Sequence, residues 1–211
     1  MSSGVSTPVE LWLVRHGETD LNRAGVWQGQ LDAPLSATGR RQAERLAERL
    51  AESGPAFNRL YTSDLSRARD TAALLGARLG LAPKADRRLR ELCVGELSGR
   101  PREEVFAGYA EVLARTRADP WNTRLPGGES LSDLRRRLLE FLAELPPGRH
   151  LVVTHAGVIR VAVWLALGLA EGQPWRIRLA NTSLTRVAYP EAPDAWAGEA
   201  GPVGDAAHLE R

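Results

Sequence analysis

The 211-residue chain almost lacks cysteine and lysine: Cys93 and Lys84 are the only examples of each. One cysteine excludes an internal disulfide framework and a cysteine-rich zinc site. It is compatible with a reducing compartment, and we expect a cytoplasmic location. Long apolar runs are also missing. The most apolar segment, residues 158–170, is interrupted by Arg160 and is too short to cross a bilayer. The first residues, Met-Ser-Ser-Gly-Val-Ser-Thr-Pro, have no cationic start and no apolar stretch, so no signal peptide is expected. There is no Gly-x-x-x-x-Gly-Lys, no Gly-x-Gly-x-x-Gly and no His-Glu-x-x-His, the usual signs of phosphate loops, dinucleotide folds and zinc peptidases.

Excess charge of one sign is lacking too. The chain has 28 Lys and Arg against 26 Asp and Glu, a formal net charge of +2. Its arginines are scattered among acids instead of forming a run, which argues against a nucleic-acid partner. The abundance of Arg, Ala, Leu and Gly fits GC-rich coding. A hydrophobic fraction of 43% and a charged fraction of 26% are ordinary for a globular protein. The length suits one domain over residues 1–211, large enough to bury its own core.

Strand-like and helical segments alternate along the chain. Residues 9–15 form the first strand candidate. After Leu35-Ser36 a helix follows, with Ala43, Leu46, Ala47 and Leu50 on one stripe and Ser53-Gly54-Pro55 as its stop. Residues 57–61 are a second strand, and Ser63 or Asp64 can cap the next helix, striped by Ala68, Ala72, Leu75 and Leu79. Residues 84–92 are expected to be extended. A polar, arginine-rich excursion spans about 95–130, with a helix from Pro101. Leu131, Leu134, Leu138, Phe141 and Leu145 keep helical spacing. A strand at 150–154, a helix at 158–169 and strands at 175–180 and 183–189 complete the pattern, and the tail after Pro190 reads as irregular. Such alternation predicts a mostly parallel sheet with helices on both faces.

Two of the strand-like runs end alike, in Val14-Arg15-His16-Gly17 and Thr154-His155-Ala156-Gly157. In open α/β folds ligands bind beyond the carboxyl ends of strands. Two histidines at such ends point to one site assembled from distant parts of the chain.

The residues that accompany them are Leu13–Thr19, Asn22, Gln28-Gly29, Pro34-Leu35-Ser36, Gly39 and Tyr61–Ala68, then Glu91–Gly95, Pro126–Ser130, Thr154–Gly157 and Asn181–Ser183. In order and spacing this set resembles the histidine phosphatase superfamily, from about Glu10 to Val187. The resemblance implies a three-layer α/β/α sandwich with a small helical lid at 95–130. It implies that His16 is the nucleophile, forming a phosphohistidine. Arg15, Arg67 and His155 would hold the phosphoryl oxygens, since a guanidinium forks onto two oxygens and keeps its charge. His155 would serve best protonated, a state that the neighbouring arginines oppose. Glu91 would protonate the leaving oxygen and then activate water; the competing reading of Glu91 is a surface salt bridge with Arg88 or Arg90. Thr19, Asn22, Gln28, Gly29 and Ala156 match positions around the phosphate and the substrate rim. No metal and no cofactor are implied, because cationic side chains supply the charge.

Within the family, Leu92-Cys93-Val94-Gly95 and the later Gly127-Gly128-Glu129-Ser130 look like the phosphatase branch. Phosphoglycerate mutases have a longer excursion and a charged, aromatic stretch after the glutamate. We therefore expect hydrolysis of a small phosphorylated metabolite. A mutase is the alternative, and a non-catalytic binding protein of the same fold is the third reading. Arg100, Arg102, Arg115, Arg117, Arg124 and Trp121 are the candidates for substrate choice. Oligomeric state is not legible, and a homodimer stays open.

Overall fold

The computed structural model describes residues 8–171, 177–189 and 198–210. Its centre is a six-stranded sheet in the order β3-β2-β4-β1-β5-β6. The strands are β1 (Val9–Arg15), β2 (Arg59–Thr62), β3 (Pro83–Ala85), β4 (Gly148–Thr154), β5 (Leu184–Tyr189) and β6 (Glu199–Asp205). Strands β3, β2, β4 and β1 run parallel, and β5 and β6 join by antiparallel pairing.

Side-chain alternation along the strands divides the core into two layers. Leu11 and Leu13 of β1, Tyr61 of β2 and Val152 of β4 belong to one buried cluster. Their neighbours Val14, Leu60, Leu151 and Val153 belong to the other. The register agrees, with Leu13 opposite Val152 and Leu60 opposite Leu151. Helices α2 (Ala37–Ser53) and α3 (Ser66–Leu79) cover the second face. Helices α6 (Leu131–Ala143) and α7 (Ala156–Ala166) cover the first. Between them α4 (Arg102–Gly108) and α5 (Ala110–Ala118) form the excursion. It has its own small core of Val94, Leu97, Val105 and Leu125. A short α1 (Asp20–Arg23) follows the first strand.

Several expectations need correction. Residues 84–92 are not one extended segment: β3 is short, and a single 3-10 turn occupies Arg87–Leu89. Residues 177–180 form no strand, and the rest of the expected strand at 175–180 lies outside the described residues. The tail contains β6, an edge strand that tolerates Pro202 and two glycines because its outer groups need no ladder partner. Helix α7 begins at Ala156, not 158. Neither Ser63 nor Asp64 is the N-cap of α3; that residue is Leu65, without a side-chain cap. Asp32 comes from another loop to accept from Ser66 N at 2.8 Å and Ser66 Oγ at 2.7 Å. Pro101 sits just ahead of α4 as its N-cap residue.

Candidate active site

Three parallel strands end at the same level, and each passes a polar side chain to that edge. β1 ends in Arg15 and delivers His16. β4 ends in Thr154 and delivers His155. β2 ends in Thr62 and delivers Ser63. Backbone bonds fix them: His16 N donates to Thr154 O at 2.9 Å and Ser63 N to Val153 O at 2.9 Å. The imidazole rings of His16 and His155 lie 5.0 Å apart by centroid. Both residues are buried, as is Arg67 in the first turn of α3.

His16 is held in one orientation. Its Nδ1 donates to Gly17 O at 2.7 Å, which leaves Nε2 with the lone pair. Arg67 Nε points at that nitrogen from 3.3 Å. Arg67 is itself fixed by Leu31 O at 2.8 Å and Gly29 O at 2.7 Å. Burial, then the charges of Arg67 and Arg15, push the His16 pKa well below that of free histidine. The ring is therefore neutral at ordinary pH. His155 also has its pKa held well below that of free histidine, by burial first and by Arg67 next. Before any ligand binds it too is neutral, in line with the expected opposition of the arginines to its protonation. Its Nε2 meets Ser63 Oγ at 2.9 Å, and its buried Nδ1 has no partner among the described residues.

Arg15 donates to Leu179 O at 2.6 Å, while its buried Nε has no partner among the described residues. A buried cationic donor left unpaired is costly, and an anion would relieve it. Glu91 offsets part of the cost electrostatically for both Arg15 and Arg67.

Glu91 does not pair with Arg88 or Arg90. Arg88 binds Asp86 and Glu144, and Arg90 forks onto Asp64 with two bonds of 2.6 Å. The Glu91 carboxylate instead accepts from Leu92 N at 2.8 Å and from Gly157 N at 3.0 Å. Gly157 lies in the first turn of α7, where free N–H groups and the helix dipole favour an anion. A Cβ at 157 would stand 2.2 Å from Glu91 Oε1, so only glycine admits the carboxylate there.

The remaining candidates lie around this centre. Thr19 is fully buried and caps α1. Its hydroxyl donates to Gln28 Oε1 at 3.1 Å. Asn22 uses its Oδ1 for Thr19 N and Asn181. Gly29 serves Arg67 through its carbonyl. Ala156 opens α7 next to His155. Of the excursion residues proposed for substrate choice, Arg102 lines the adjoining cavity. Trp121 packs on Trp164 at 4.3 Å, Arg124 pairs with Asp133, and Arg100 stacks over Tyr109.

Two residues escaped the sequence reading. Arg137 donates to the carbonyls of Arg88 and Arg90 at 2.6 Å and of Glu91 at 3.1 Å. It also binds both oxygens of Glu129, whose Oε2 accepts from Cys93 N at 2.9 Å. One guanidinium and one carboxylate thus shape the loop carrying Glu91. The signal was present: Arg137 stands three residues after Leu134 and four before Phe141, on the apolar face of α6. Asn181, to which the sequence assigns no role, donates through its Nδ2 to His16 O at 3.0 Å. Among the described residues no cluster of three or more His, Cys, Asp or Glu side chains is placed to hold a metal ion.

Comparison with known proteins bears on the family and the fold. Residues 11–196 match the family model described as histidine phosphatase superfamily, branch 1. A protein from Yersinia enterocolitica named probable phosphoglycerate mutase GpmB is 38% identical, over 96% of this chain and 95% of its own. The native structure of mycobacterial glucosyl-3-phosphoglycerate phosphatase superposes with a TM-score of 0.82 at 30% identity, covering 92% of this chain and 98% of that one. A putative alpha-ribazole-5'-P phosphatase from Escherichia coli gives 0.81 at 25% identity, over 94% and 97%. The chain belongs to the histidine phosphatase superfamily.

Proposed function

We propose that the protein is a phosphomonoesterase that works through a phosphohistidine on His16. The observation that carries this reading is the state of that ring: Nδ1–H tied to Gly17 O, Nε2 unprotonated, and Arg67 beside it. A nucleophile needs a free lone pair aimed at the electrophile. Nε2 attacks phosphorus while the bond to the alcohol oxygen breaks, and the Glu91 carboxyl gives its proton to that oxygen. In the second half the Glu91 carboxylate takes a proton from water. The water oxygen attacks phosphorus, the N–P bond breaks, and inorganic phosphate leaves with His16 neutral again. Arg15, Arg67 and His155 spread the charge on the phosphoryl oxygens, where most catalysis of phosphoryl transfer resides. In this reading Asn22, Gln28 and the first turn of α7 at Ala156 would edge the substrate. Uncatalysed ester hydrolysis is slow enough that the site must lower the barrier by about 20 kcal/mol.

A mutase is the second reading, favoured by the names of the curated relatives. The two readings differ in where the phosphoryl group goes. Incubation with 3-phosphoglycerate and with other monoesters should release inorganic phosphate, undiminished in excess chelator. Interconversion of 2- and 3-phosphoglycerate with little free phosphate would establish the mutase instead. Loss of all turnover under chelation would overturn the metal-independent mechanism.

A further inference from the structure

A cavity of about 420 Å³ adjoins the catalytic cluster under the excursion. Its wall includes Gln28, Gly29, Glu91 and Gly157, but none of Arg15, His16, Arg67 and His155. The cavity therefore begins where the phosphoryl cluster stops, and Glu91 stands at the boundary. In the reading proposed above, Glu91 protonates the leaving oxygen, so the departing alcohol occupies the side on which this cavity opens. We propose that the cavity receives that alcohol, and that the substrates are phosphate monoesters of alcohols larger than a three-carbon acid, with one apolar face and at least one acceptor group. The inference rests on the hydrolytic reading and narrows its substrate class.

Size and wall chemistry carry the argument. Pockets for organic ligands of drug-like size run from roughly 300 to 1,000 Å³, and one water occupies about 30 Å³. A three-carbon acid would leave most of 420 Å³ to water. That water would lie against Val26, Trp27, Leu92, Val94, Leu125 and Leu131, all in the wall. Apolar surface of that kind favours an apolar occupant. The glycerate side of 3-phosphoglycerate carries a single carboxylate and would leave that apolar wall uncovered. The wall offers Arg102, which is exposed on α4, and Arg160. Arg160 is half-buried, three residues after Gly157 on α7, with its Nε on Ile177 O at 3.1 Å. It has no acidic partner among the described residues, and its charge is felt at Arg15. One such cation beside an apolar wall suits an acceptor or carboxylate on a larger body.

The test uses three esters whose alcohols are all aliphatic, so that leaving-group basicity stays similar: 3-phosphoglycerate, 4-(4-carboxyphenyl)butyl phosphate and adenosine 5′-monophosphate. Phosphate release by the wild-type protein should give a kcat/KM at least about tenfold higher for the two larger esters, or 1.4 kcal/mol. Thr123 lines the cavity from a loop and Thr116 from α5, and the four residues of the phosphoryl cluster lie outside that lining. Thr123→Trp, and separately Thr116→Phe, should lower kcat/KM for the larger esters about tenfold and leave 3-phosphoglycerate within about twofold. The unchanged small ester shows that each variant is folded. Preference for 3-phosphoglycerate, or an equal loss on all three esters in both variants, would overturn the inference alone. No phosphate from any ester would overturn the hydrolytic reading and the inference with it.

Discussion

At the scale of single residues, the site depends on groups that never touch the substrate. Arg137 gathers three carbonyls of residues 88–91, and Glu129 holds the Cys93 amide, so the backbone on both sides of Glu91 is fixed. Removing that clamp should misplace Glu91, the proposed proton donor, more than His16, the proposed nucleophile. Arg137→Met is expected to lower kcat/KM for alkyl phosphates by about 10- to 100-fold, within the range of general acid catalysis. The loss on p-nitrophenyl phosphate should be much smaller, because nitrophenolate departs without a proton. Arg137→Lys should recover part of the difference, since a single ammonium can reach some of the carbonyls but cannot form the fork. Equal losses on both ester types would reduce Arg137 to a structural role. His16, Arg15 and Arg67 were legible in the sequence as motif positions. Arg137 was not, because three arginines in a row resemble a solvated face unless the helical phase is followed through them.

At the scale of elements, close backbone approach decides which glycines matter. Gly157 and Gly39 both lie in helices, where alanine is favoured over glycine by about 1 kcal/mol. A Cβ at 157 meets the Glu91 carboxylate, a side chain that can swing away. A Cβ at 39 meets the Glu18 carbonyl at 2.1 Å, and the backbone there cannot yield. Gly157→Ala should therefore keep or raise thermal stability while reproducing the alkyl-selective loss of activity. Gly39→Ala should destabilise the fold by about 1–3 kcal/mol, as overpacking does; thermal melts together with rates on both esters separate the two cases. This difference also marks the limit of sequence reading. Strands β1 and β4 and the buried stripes of α2, α3 and α6 could be read because alternation and helical spacing record burial. Strand β6 could not, since its Gly201-Pro202-Val203-Gly204 has no such pattern and pairs on one side only. The start of α7 is hard to read because Gly157 is a poor helix former and His155 ahead of it gives no side-chain cap, although the Gly157 N–H that meets Glu91 belongs to its first turn.

At the scale of the whole molecule, all four histidines have pKa values lowered by burial as the first cause, His208 to about 4. A histidine whose folded pKa is depressed takes up its proton in the unfolded chain first. Stability from these groups is complete above about pH 6.5, the unfolded value, and is lost as pH falls below it. Each proton confined to the unfolded state contributes a slope of up to about 1.4 kcal/mol per pH unit. The melting temperature should therefore fall steadily between about pH 6.5 and about pH 4. His150 lies away from the catalytic cluster with its Nε2 against Pro146 O at 2.8 Å. His150→Gln keeps a donor for that carbonyl and removes one titration, so it should flatten part of the slope. An unchanged slope in that variant would assign the acid sensitivity elsewhere. The same whole-molecule arrangement joins the catalytic edge to the far end of the chain. Thr182, at a φ of 58°, bonds through its Oγ1 to His208 at 2.9 Å, beside the Asn181 that holds the His16 carbonyl.

The central claim is that His16 carries the phosphoryl group during turnover. Rapid acid-free quenching of the protein with a phosphorus-labelled ester, followed by peptide mapping, tests it directly. An acid-labile, base-stable label is expected on the peptide containing His16, formed and lost at rates that support steady-state release of phosphate, and absent in His16→Ala together with the activity. Full phosphate release by His16→Ala, or a label on another residue in the wild-type protein, would contradict it.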